Sequence, residues 1–118
     1  MRLLAAVGLV ILLVNGYEDV GIFRDGDPRQ IAGHAVREAL VAGAVCGLLW
    51  PRPGWVPFMA GAGLHGLFVW WGYFSEARDA WGLPWTWFGV SDVGWRCAVL
   101  ACAWRMRGEF WNDLLGRR

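Results

Sequence analysis

No lysine occurs in this sequence, charged side chains of any kind are scarce, and hydroxyl nucleophiles are nearly missing. All eleven basic residues are arginine, the coding bias of a GC-rich bacterial genome or its phage. Ser75 and Ser91 are the two serines, and neither sits in a motif that would activate it for acyl transfer. Walker and dinucleotide-type glycine patterns are absent. A net charge of +1 gives nucleic acid no electrostatic footprint to bind. The three cysteines, Cys46, Cys97 and Cys102, are odd in number and lack CxxC spacing. They form neither a disulfide framework nor a zinc site and read as small packing residues in apolar stretches. These absences predict a protein that is not an enzyme and carries no cofactor and no metal.

What is present is apolar. Hydrophobic types make up 57% and charged types 18% of 118 residues, with a mean hydropathy of +0.36. Ordinary soluble domains carry about 45–50% and about 25%. A soluble domain of this length buries only about two-thirds of its unfolded surface and needs a polar exterior for the rest. The residues for such an exterior are missing, so lipid or a partner has to cover the surplus. Ten Trp fit this reading, because an indole favours the boundary between hydrocarbon and water.

The expected fold is all-α: an integral membrane helical bundle of four transmembrane helices with an interfacial aromatic segment. The helices fall at about residues 2–20, 31–50, 54–75 and 91–106, in a single membrane domain with a C-terminal tail over 107–118. The clearest span is 54–75, 22 residues without a formal charge, long enough to cross about 30 Å of hydrocarbon. Pro51, Arg52 and Pro53 punctuate its start. Residues 3–17 are uncharged but number only 15, a length shared with signal-peptide cores. Arg2 alone in the n-region and the lack of a small-x-small site favour an uncleaved helix. Residues 18–30 read as a polar loop in which DGDP makes a turn and Asp27 caps the next helix. Pro84 breaks the aromatic run AWGLPWTWFGV into a headgroup-depth segment. Asp92 and Arg96 are four apart, acid first, the favourable order for a pair on one helix face.

Arg2, Arg52, Arg105, Arg107, Arg117 and Arg118 alternate with acid-rich loops. The positive-inside rule then places both termini in the cytoplasm of a bacterial inner membrane. Small residues recur every four positions at Ala35, Ala39, Gly43 and Gly47, a stripe that lets another helix approach closely; Ala62 and Gly66, and Gly94 and Ala98, repeat it. The docking partner is either a neighbouring helix of the same chain or another subunit. His34, Glu38, His65, Asp92 and Arg96 form a candidate intramembrane polar site, read either as a proton relay or ligand set or as histidines bonded to nearby carbonyls. Trp70, Trp71, Trp81, Trp85 and Trp87, with Tyr73 and Phe74, make an outer aromatic girdle, and Trp50, Trp55, Trp104 and Trp111 an inner one. They anchor the chain at both interfaces or offer flat rings to a ligand. The tail, with Phe110, Trp111, Leu114 and Leu115 among arginines, suits the surface of the cytoplasmic leaflet or a soluble partner.

Three functions fit. The first is a non-enzymatic accessory subunit that packs against partner membrane proteins or itself, with the lipid bilayer and not nucleic acid as its surroundings. The second is a phage holin-type pore former, and the third a small transporter or a haem- or proton-handling protein.

Overall fold

A computed structural model describes residues 1–76 and 83–117. Four helices follow one another: α1 Arg2–Asp25, α2 Pro28–Leu49, α3 Val56–Glu76 and α4 Leu83–Leu114, with a single 3-10 turn at Pro53–Trp55 before α3. Among the described residues there is no strand.

Each boundary has a local cause. Gly26 leaves the helical region and donates its N–H to Ile22 O at 2.8 Å, ending α1. Asp27 and Gln30 then form a reciprocal capping box, with Gln30 N to Asp27 Oδ1 at 2.9 Å and Asp27 N to Gln30 Oε1 at 3.2 Å. Pro28 occupies the first helical turn, where its missing N–H costs nothing. The DGDP turn is therefore where the sequence puts it. Pro51 and Pro53 separate α2 from α3. Gly116, at φ 66, closes α4 in a Schellman arrangement: Arg117 N reaches Asn112 O at 2.8 Å and Gly116 N reaches Asp113 O at 3.3 Å.

Three segments differ from the sequence expectation. Residues 18–25 are not loop; they continue α1, because Asp19 finds basic partners on α2 that no local reading supplies. From Leu83 onward the aromatic run is the opening of α4, since Pro84 falls in the first turn, where proline begins a helix more readily than it breaks one. Residues 107–114, beyond the expected end of the last helix at 106, are helical and continue α4. At 32 residues, about 48 Å, α4 matches the 50 Å long axis of the molecule.

The helices pack in chain order, each antiparallel to the last. Gly8 lies against Val45, Gly43 against Phe58, Gly61 against Leu40, and Gly63 against Leu100. A Cβ on Gly8 would stand 2.6 Å from Trp95 Cζ2, so α1 and α4 touch where only glycine fits. Trp95 Nε1 donates to Leu4 O at 2.8 Å and closes the ring. The core is built of small and branched side chains, Ala5, Ile11, Val41, Ala44, Val45, Ala62, Val99 and Ala103, with Leu48, Met59 and Trp95. Among the described residues two helices, α1 and α2, are long and apolar enough to cross a membrane. α3 is diluted by Gly, Trp and His65, and α4 by Asp92, Arg96, Arg105 and Arg107.

Candidate functional site

An otherwise apolar core encloses charged side chains, while large apolar ones lie outside. Asp19, Asp92 and Arg96 are at most 2% exposed, whereas Leu3, Leu13, Tyr17, Phe68 and Trp71 are at least 71% exposed. The interior acids fall into two clusters.

The first ties α3 to α4. Arg96 Nε donates to Asp92 Oδ1 at 3.0 Å, one helical turn back, and Arg96 Nη1 donates to Ala62 O at 2.8 Å. Trp70 Nε1 donates to the other oxygen, Asp92 Oδ2. Each carboxylate oxygen thus has a donor, and the guanidinium reaches a backbone carbonyl of the facing helix. Gly66 makes room for the arginine, because a Cβ there would press on Nε, Cδ and Cζ of Arg96. Arg96 also lies 5.2 Å from the Trp95 ring centroid, within cation–π range.

The second cluster ties α1 to α2. Asp19 Oδ1 accepts from both His34 Nδ1 and Arg37 Nη2, each at 2.7 Å. A carboxylate accepts, so the His34 proton on this side is on Nδ1. Arg37 Nε donates to Glu38 Oε1 at 3.3 Å. The Arg37 guanidinium thus bonds both carboxyl groups, Asp19 through Nη2 and Glu38 through Nε. Asp19 Oδ2 and Glu38 Oε2 are buried with no donor. His65 on α3 lies within electrostatic reach of both Arg37 and Arg96, and its buried Nδ1 has no hydrogen-bond partner.

The residues predicted from sequence divide accordingly. His34 and Glu38 join Asp19 and Arg37, Asp92 joins Arg96 and Trp70, and His65 stands between the two groups. Sequence reasoning missed Asp19 and Arg37 as site residues. A signal existed: Asp19 and His34 each stand seven residues from the Gly26–Asp27 turn (26 − 19 and 34 − 27), and equidistant positions face each other in an antiparallel hairpin.

On α2, Gly43 and Gly47 are buried against Phe58 and Met59, while Ala35 and Ala39 are exposed. Four-residue spacing advances about 40° beyond a full turn at each step, so a stripe of four drifts off one face. Ala62 and Gly66 are buried, Ala98 is half-buried, and Gly94 is exposed with nothing above it. Trp50, Trp71, Trp87, Trp104 and Trp111 are exposed, and Trp55 is half-buried. Trp70 is not an anchor at the edge; it is buried, because its N–H is needed by Asp92. Trp81 and the side chains of Tyr73, Phe74 and Trp85 lie outside the described residues. Among the described residues no group of three His, Cys, Asp or Glu could hold a metal ion.

No protein-family model matches the chain, and no curated protein and no solved structure is significantly similar to it.

Proposed function

We propose that this chain is a small multi-pass membrane protein, both termini cytoplasmic, that serves as a non-enzymatic accessory subunit packed against partner membrane proteins. The observation that carries this reading is where charged and apolar side chains lie: a paired Asp92–Arg96 at the core and Leu13, Phe68 and Trp71 outside. Hydrocarbon suits that exterior better than water does, and in hydrocarbon charges are paired inside the bundle. Charge at the two ends supports the orientation. Met1 Sδ lies 4.0 Å from Cys102 Sγ, so Arg2, Arg52, Arg105 and Arg107 share one end of the antiparallel bundle. Arg24, Asp25, Asp27 and Arg29 share the other. The end with the excess of arginine faces the cytoplasm.

The accessory role rests on α4, where Ser91, Gly94, Cys97, Ala101 and Gly108 form an exposed line of small residues. In lipid a line without large side chains lets a second backbone approach. Alkaline carbonate washing should leave the chain in the membrane pellet; release to the supernatant refutes the membrane reading. Purification in mild detergent should bring partner proteins with it, and Gly94→Leu, which has open space in the monomer, should lose them. A protein that purifies alone, or a variant that keeps its partners, refutes the accessory role. Induced expression that collapses the membrane potential would point instead to a pore former.

A further inference from the structure

The second cluster contains one carboxylate more than its donors account for. Arg37 supplies one positive charge to two acids, donating to Asp19 Oδ1 through Nη2 and to Glu38 Oε1 through Nε. His34 Nδ1 donates to the same Asp19 oxygen and leaves Oδ2 alone. The remaining oxygens, Asp19 Oδ2 and Glu38 Oε2, are both buried without a donor, and one guanidinium gathers the two carboxyl groups. Carboxylate oxygens only accept, so two carboxylates gathered on one guanidinium repel each other until a hydrogen stands between them. Burial removes the water that would screen the repulsion.

We propose that Asp19 and Glu38 hold one proton between them, and that this pair is a proton-binding site inside the bundle. The added proton gives an orphaned oxygen the O–H it lacks and leaves one negative charge opposite Arg37. The charges then cancel within the cluster. The surrounding groups are consistent with exchange: Asp19 is sealed, whereas the side chain of His34 is 32% exposed and bonded to it, giving a route between solvent and the pair. Glu18 precedes Asp19 on α1, and the titratable group on α3 is His65, which lies in the field of Arg37 and of Arg96 on α4. The site depends on the α1–α2 contact and stands apart from the question of what the protein packs against.

Infrared spectroscopy of the full chain in detergent micelles at neutral pH tests this. The wild type should show the carbonyl stretch of a protonated carboxylic acid, shifting down in heavy water, and Glu38→Gln and Asp19→Asn should each lose it while Glu18→Gln keeps it. If a variant fails to fold, isotope labelling of the Glu and Asp carboxyls in the wild type takes its place, and the acid band should move with one of those labels. Absence of the band in the wild type overturns the proposal, as does its persistence in both Glu38→Gln and Asp19→Asn. A wild type whose His34 gives an imidazolium signature in nitrogen NMR, with no acid band, also overturns it by placing the proton on the ring.

Discussion

Asp92 and Asp19 are both sealed from solvent and both answered by an arginine, yet one sits in a closed group and the other in an open one. At Asp92 each oxygen has its own donor, Arg96 on one side and Trp70 on the other. At Asp19 two donors crowd one oxygen, the other has none, and a second carboxyl group shares its arginine. A closed group holds two helices in register and offers nothing to exchange. An open group also joins two helices, but its surplus acceptors have to be met by something mobile, and the smallest candidate is a proton. The contrast separates a structural tie between α3 and α4 from a site between α1 and α2 that can change state.

The contrast predicts unequal responses to substitution, each measurable by reversible denaturation in mixed micelles. Arg96→Ala should be the most damaging, at about 3–5 kcal/mol, because it leaves Asp92 as an uncompensated buried charge. A loss no greater than that of the α1–α2 variants would erase the distinction. Gly66→Ala should follow at about 1–3 kcal/mol, since the new methyl displaces the Arg96 guanidinium from beside α3. Asp19→Asn should cost less, about 1 kcal/mol, because Glu38 then keeps its charge for Arg37 and the amide still accepts a hydrogen bond. Glu38→Gln should change stability by under about 0.5 kcal/mol, because it replaces one orphaned acceptor with an N–H donor that the other, Asp19 Oδ2, can accept from. If Glu38→Gln proved as harmful as Arg96→Ala, the second cluster would be a structural tie like the first.

Much of the helical layout is legible in the sequence because its causes are local. Asp27 with Gln30, Pro28, and the Pro51–Pro53 pair act within a few residues of themselves, so their spelling fixes where α2 starts and where it stops. The four-residue spacing of Asp92 and Arg96 likewise announces their pairing. The features that escaped are those whose cause lies on another helix. Glu18 and Asp19 read as loop because isolated acids after an apolar run suggest an exit from the membrane, whereas His34 and Arg37 draw Asp19 inward and carry α1 on to Asp25. Trp70 looks like its exposed neighbour Trp71 in sequence, and only the position of Asp92 on α4 assigns one to the core and the other to the surface. Trp95 went unremarked for the same reason: its partner, the Leu4 carbonyl, is 91 residues away. Small-residue stripes showed that close packing would occur, but helical drift divided Ala35 and Ala39 from Gly43 and Gly47.

Lipid is proposed to cover the apolar exterior around the two buried charge clusters. Spin labels placed singly at Leu13 and Phe68 by cysteine substitution, with the native cysteines replaced and the protein in lipid bilayers, test it most directly. Both labels should be relaxed far more by dissolved oxygen, which partitions into hydrocarbon, than by a water-soluble nickel complex. Greater relaxation by the nickel complex at both positions would place these side chains in water and contradict the lipid-facing exterior.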